Sequence, residues 1–167
     1  HSKILILNGE FLSADILDVD KNKIEIKNEN LIFSESLNEP LNNLNKAFAS
    51  RLIKLNVLED KIVEKPLVIY HICDLDNKTN LINTRFELTL HKNSSLSTLN
   101  LFEDKSVSGF NNHNFNILIN KNSNLKNYIF DLNKNQNLRY SFTNIDIYEN
   151  GNSENFIYSS GSKFSKY

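Results

Sequence analysis

Between residues 86 and 158 the chain alternates apolar and polar positions, and it repeats the alternation three times in one register. Phe86, Leu88 and Leu90 alternate with Glu87 and Thr89, and a polar run from His91 to Ser95 leads into Leu96. The order returns as Phe115, Ile117 and Ile119, a polar run over 120–124, then Leu125. It returns more loosely as Thr143, Ile145 and Ile147, a turn over 148–152, then Ser153. Leu90 and Ile119 are 29 residues apart, Ile119 and Ile147 28. The second halves also align, as Leu99/Tyr128/Phe156 and Leu101/Phe130/Tyr158.

Period-two alternation places Phe86, Leu88 and Leu90 on one face of a strand. Stacking the copies then builds ladders, Leu88/Ile117/Ile145 and Leu90/Ile119/Ile147, that bury what a single coil cannot. A fixed repeat of this size, made of strands and turns, marks a solenoid. Asn, Ser and Gly suit the bends at 92–95, 121–124 and 149–152. The predicted fold is mainly β: a right-handed parallel β-helix of two facing sheets, with coils of about 28–29 residues, since crossover connections are nearly always right-handed. The rival is an antiparallel sandwich with the polar turns as hairpin loops; the shared register of the ladders opposes it.

Upstream, Lys3–Leu7 reads as a strand, Asn8-Gly9 as a tight hairpin turn and residues 10–12 as its return. Residues 23–27 alternate Ile24 and Ile26 with charge, a further strand that 31–33 could join. Ser34 or Ser36 would cap a helix, but Pro40 would interrupt one begun there. Leu41, Leu44, Phe48 and Leu52 have the spacing of an amphipathic helix over 41–50. Strands follow at 52–55, 57–58, 62–63 and 67–72, with Pro66 at the start of the last. A boundary near residue 50 divides a small mixed α/β cap, 1–50, from a β-helix core, 51–167. Caps are expected because an open solenoid end bares apolar surface and strand edges.

Charge and cysteine usage narrow the function classes. A net charge of −1 leaves no footprint for nucleic acid. A single cysteine, Cys73, excludes an internal disulfide framework. No secretory signal or membrane span is readable, and the apolar run 4–7 is too short for either. The expectation is a reduced, soluble, cytoplasmic protein.

The chemistry-bearing residues are few. His71 and Cys73 sit two apart on a strand and share a face, yet no second thiol or carboxylate completes a metal set, so both read as structural. His91 heads a polar turn, its counterpart in the next coil is Asn120, and nothing near it supplies a base or an orienting acid. His113 is a third candidate by residue type. Residues 74–78 resemble the start of a calcium loop but lack its glycine and closing glutamate. Asn77-Lys-Thr79 and Asn93-Ser-Ser95 match the glycosylation triplet, which in the cytoplasm is chance. Scattered charges speak against a polysaccharide lyase, and 4 glycines against a hexapeptide acyltransferase. No catalytic, cofactor-binding or metal residue is assigned; the residues read as a scaffold or interaction module, not an enzyme.

Several short motifs occur in a familiar order. Leu5-Ile-Leu-Asn-Gly9-Glu-Phe11, Leu44-Asn-Lys-Ala47-Phe48, Val63-Glu-Lys-Pro66-Leu67 and Ser159-Ser-Gly161-Ser-Lys-Phe164-Ser-Lys166 together resemble the SufB/SufD family of iron–sulfur cluster assembly proteins, the SufD branch above all. Ser162 and Lys166 depart from the last motif, where glycine and arginine are usual. The resemblance implies a right-handed β-helix and a non-catalytic scaffold role. It also implies SufB-like and SufC-like partners, with no cofactor held by this chain; the cluster is the pathway's product. This chain stops within the family's helix, before the SufC-binding helical region, so no functional residue is carried over. The alternative is a non-catalytic carbohydrate-binding or adhesin-type β-helix. A last coil without a cap predicts a homodimer through the open C-terminal coils, around 155–167.

Overall fold

The computed structural model describes residues 1–31, 39–74, 80–105, 109–132 and 137–167. They form β1 (Lys3–Leu7), β2 (Glu10–Asp15), β3 (Ile24–Asn30), α1 (Pro40–Phe48), β4 (Arg51–Val57), β5 (Leu67–Cys73) and β6 (Asn80–Leu90). The later coils contribute β7 (Ser95–Asp104), β8 (Gly109–Ile119), β9 (Asn124–Asp131), β10 (Leu138–Ile147), β11 (Asn152–Ser159) and β12 (Phe164–Lys166). The strands lie in two sheets that enclose one core. Sheet A runs β11-β9-β7-β5-β1-β2 and sheet B runs β12-β10-β8-β6-β4-β3. Neighbours are parallel except β2 on β1 and β3 on β4. The architecture is therefore a β-solenoid of parallel coils, and an antiparallel sandwich is excluded.

The predicted ladders are in register. Leu88 pairs with Ile117 and Ile117 with Ile145; Leu90, Ile119 and Ile147 form the next row. Both rows continue upstream through Leu55 and Val57 into Ile26 and Ile24. Sheet A faces them with Ile4, Ile69 and Ile129. The segment before residue 50 shares both sheets: β1 pairs in parallel with β5, and β3 closes the edge of β4. The Asn8-Gly9 turn is present, with both residues at positive φ, 52° and 88°, as a tight hairpin requires.

The turns at one edge of the coils stack as regularly as the strands. Asp60, Asn93, Asn122 and Asn150 all have φ between 55° and 59°. That conformation suits asparagine better than any other residue with a side chain except aspartate. Each amide donates to the residue one coil earlier: Asn150 to Asn122 at 3.2 Å, Asn122 to Asn93 at 3.0 Å, Asn93 to Asp60 at 2.7 Å.

Pro40 opens α1 at its first turn, where its missing N–H is no loss. Two local expectations change. The helix buries a polar face. Asn42 and Asn45 are buried while Phe48 is exposed, because α1 lies on the outer face of sheet B and bonds to its backbone. Asn45 Nδ2 donates to the carbonyls of Thr84 and Asn112, and Asn112 Nδ2 donates to the Leu41 carbonyl. Residues 62–63 make only an isolated bridge, Ile62 to Ser95. The candidate cap at Ser34 or Ser36, most of the strand at 31–33, and most of the calcium-like loop with Asn77-Lys-Thr79 lie outside the described residues.

Candidate functional site

Moving away from the asparagine turns, the core of sheet A changes chemistry. One inward row is Leu67, Thr98, Asn127 and Asn155; the next is Ile4, Ile69, Asn100, Ile129 and Ile157; a third is Ile6, His71, Phe102, Asp131 and Ser159. The polar members satisfy one another along the stack. The His71 Nε2 lies 3.0 Å from Asn100 Oδ1, an atom that only accepts, so Nε2 carries the proton. Asn100 Nδ2 donates to Asn127 Oδ1 at 2.9 Å, and Asn127 Nδ2 to Asn155 Oδ1 at 3.0 Å.

His71 and His113 meet at the far edge of the coils. His71 stacks on Phe102, centroids 4.2 Å apart, with His113 edge-on at 6.0 Å. The Arg139 guanidinium lies 4.4 Å from the Phe102 centroid. Its Nε is 3.2 Å from Asp131 Oδ2, an ion pair bent away from hydrogen-bond geometry. Tyr167 donates to the same oxygen at 2.6 Å. Burial holds the His71 imidazole down at about 4, despite its Asn100 bond and with help from Arg139. Burial, then Arg139 and His71, hold His113 well below its ordinary value. Burial and Asp131 push the Tyr167 phenol up to about 12. At neutral pH both rings are thus uncharged and Asp131 is occupied by two partners.

Cys73 faces inward beside His71, as the two-residue spacing predicts. The cavity among His71, Cys73, Thr84, Asn111, His113 and Arg139 is only about 10 Å³, room for about one water and for no substrate. Among the described residues no three His, Cys, Asp or Glu side chains gather into a metal-holding set. His91 lies elsewhere, on the turn ridge, in an open groove with Lys92, Lys121 and Glu149. There Lys121 is 2.7 Å from Glu149 and Lys92 3.8 Å from Glu59. The structure thus brings His71, Cys73 and His113 together and leaves His91 apart.

The outer face of sheet A is the feature that the sequence reading did not single out. The aligned triplets Leu99/Tyr128/Phe156 and Leu101/Phe130/Tyr158 do stack across β7, β9 and β11, but they point outward. Tyr70 on β5 extends the second row. Within β7 and β9 the usual polarity is reversed: Thr98, Asn100 and Asn127 are buried while Leu99, Leu101, Tyr128 and Phe130 face out. Tyr128, Phe156 and Tyr158 remain 37%, 50% and 48% exposed. Neighbouring rings touch at centroid distances of 5.9–6.4 Å. The signal was legible: apolar Leu99 and Leu101 alternate with polar Thr98 and Asn100, and one residue of slip would have turned every side chain over.

No family model matches the chain, and no curated protein is significantly similar to it.

Proposed function

We propose that this chain is a non-catalytic scaffold subunit of the SufD type, serving iron–sulfur cluster assembly in the cytoplasm by binding proteins and not by reacting itself. The observation that carries the binding half is the outer face of sheet A, where apolar and aromatic side chains face outward over buried asparagines. Exposed contiguous apolar surface of this kind marks an interaction site, here read as one for protein. The ordered motifs from Leu5 to Lys166 support the SufD half, with a SufB-like subunit docking on the solenoid and a SufC-like ATPase completing the assembly. The neutral, locked state of His71 and His113 fits a core that fills space and does no chemistry.

A carbohydrate-binding or adhesin module is the second reading, favoured by the exposed rings alone. Its weakness is geometric: neighbouring rings are tilted by 39–49° and form no single flat platform for an extended sugar chain.

The test is co-purification with the SufB-like and SufC-like proteins encoded in the same genome. A complex with the SufB-like subunit, lost in Tyr128→Lys and Phe156→Lys, is expected. A folded chain that binds neither protein, and instead retains a polysaccharide through Tyr128, would replace the scaffold with the carbohydrate reading.

A further inference from the structure

We infer that Asn150 is a self-modification site. In the folded chain its side-chain amide is lost to attack by the backbone nitrogen of Gly151, restrained by the asparagine ladder, and the products loosen the coil that carries β11. The inference goes beyond the scaffold reading and does not depend on it.

The sequence holds two Asn-Gly pairs, Asn8-Gly9 and Asn150-Gly151. Glycine has no Cβ to screen its nitrogen, and its free backbone lets that nitrogen swing toward the preceding amide carbon. The fold treats the two pairs differently. Asn8 is held at both ends of its amide: Oδ1 accepts from the Asp74 N–H at 2.8 Å and Nδ2 donates to the Asp74 carbonyl at 3.3 Å. Asn150 is exposed. Among the described residues its side chain makes one bond, Nδ2 to Asn122 Oδ1 at 3.2 Å, the longest of the ladder. The other ladder asparagines, Asn93 and Asn122, are followed by Ser94 and Ser123, both buried. Gly151 is fixed by packing, since a Cβ there would lie 2.9 Å from Ile147 Cγ2 and 3.0 Å from the Tyr148 carbonyl oxygen. The turn therefore keeps the one neighbour that leaves Asn150 open to attack.

The step needs only the chain and water. The Gly151 nitrogen bonds to Asn150 Cγ, the Cγ–Nδ2 bond breaks, and Nδ2 leaves as ammonia with the proton of the Gly151 N–H. Water then opens the cyclic imide at either carbonyl. One opening gives aspartate; the other routes the main chain through Cγ and gives isoaspartate. Two bonds must part first, the ladder bond and that of the Gly151 N–H to the Tyr148 carbonyl at 2.8 Å. Both lie on an exposed turn, the kind of segment that opens locally without global unfolding. Either product breaks the ladder, because a carboxylate cannot donate to Asn122 Oδ1, and its new charge stands next to Glu149. Isoaspartate also lengthens the main chain between β10 and β11 by one carbon.

Incubation of the folded chain at neutral pH, followed by tryptic mass mapping, tests this. Asn150 falls in the peptide 140–163 and Asn8 in the peptide 4–21. The first should gain one dalton, with aspartate and isoaspartate at position 150. Its conversion should run roughly tenfold faster than that of Asn8, which has a second side-chain bond to break. Asn122→Ala, which removes the ladder acceptor, should speed the conversion roughly threefold while circular dichroism stays native. Asn150→Asp supplies one product directly in an otherwise unchanged chain. Hydrogen exchange in β11 should then be faster than in the wild type, and exchange in β6 unchanged. An Asn150 that lasts as long as Asn8 overturns the inference. So does a conversion rate that ignores Asn122→Ala, or a β11 as protected in Asn150→Asp as in the wild type.

Discussion

Asn122 holds its backbone at φ 59° while its side chain donates to Asn93 and accepts from Asn150. Backbone and side chain thus favour the same residue: asparagine tolerates the left-handed region, and its amide is both donor and acceptor, so a stack of them can be extended. Asn122→Ala forfeits both hydrogen bonds and forces a Cβ-bearing residue without a compensating polar group into that conformation. The expected cost is about 2 kcal/mol, summing about 0.5–1 for each exposed bond and about 1 for the backbone. Asn122→Gly keeps the backbone at ease and loses only the bonds, so about 1 kcal/mol is expected. Urea denaturation of the two variants separates the contributions. Equal losses would mean that the turn conformation carries no strain, and the ladder alone would then explain the asparagines. Cys73 gives a second expectation at this scale. Buried, on an inward row with no second thiol in the chain, it should hold no cluster by itself. Anaerobic reconstitution is expected to leave no stoichiometric iron and sulfide; cluster that appears and then disappears in Cys73→Ser would overturn the non-catalytic reading.

At the scale of the element, β5 and β8 carry the pH dependence, because each buries a neutral imidazole beside Arg139. His71 falls from an ordinary 6.5 to about 4 on folding, and His113 falls in the same direction. For a base whose folded value is depressed, the unfolded chain binds more protons below 6.5, so stability drains away as pH falls from about 6.5 toward 4. His71 alone accounts for roughly 3 kcal/mol over that window. His113→Phe should flatten the curve, since His113 lies among rings, with Phe102 at 5.0 Å and Phe115 at 6.2 Å. Urea midpoints at pH 7 and pH 4.5 for both proteins provide the check, and an undiminished slope in the variant would show that His113 is not buried neutral. The legibility of the elements followed the same chemistry. The second halves of β6, β8 and β10, where Phe86, Leu88, Leu90, Phe115, Ile117, Ile119 and Ile145 point inward, could be placed from alternation, whereas their first halves, with Thr84, Asn111, His113 and Arg139 inside, could not. In β7 and β9 alternation locates the strand but not its inward side, because Leu96 and Leu125 fix a register that later puts Thr98, Asn100 and Asn127 inside. Helix α1 was found from Leu41, Leu44 and Phe48, yet its buried face was misread: the surface it covers is sheet backbone, which needs the amides of Asn45 and Asn112, not leucine.

In the whole molecule each coil touches only its neighbours, so stability should vary along the stack and not be shared evenly. The Leu90/Ile119/Ile147 ladder allows a comparison at constant chemistry. Ile119 is fully buried between coils, while its counterpart one rung on, Ile147, is 50% exposed. Truncating a buried isoleucine to alanine costs about 2–5 kcal/mol, transfer and cavity together. A half-exposed one already surrenders much of the transfer energy in the native state and leaves no closed cavity, so less than about 1.5 kcal/mol is expected from the same principle. The two substitutions should also differ in kind. Ile119→Ala weakens contacts on both sides of its coil and should lower protection against hydrogen exchange throughout β6, β8 and β10. Ile147→Ala should act on β10 and its neighbours alone and leave the amides of β4 and β6 as slow as before. Residue-resolved exchange measured on both variants decides between a stack of locally coupled coils and a single cooperative block. Equal, uniform loss of protection from the two substitutions would show that the solenoid opens all at once, and that the exposed last coil is held as tightly as the centre.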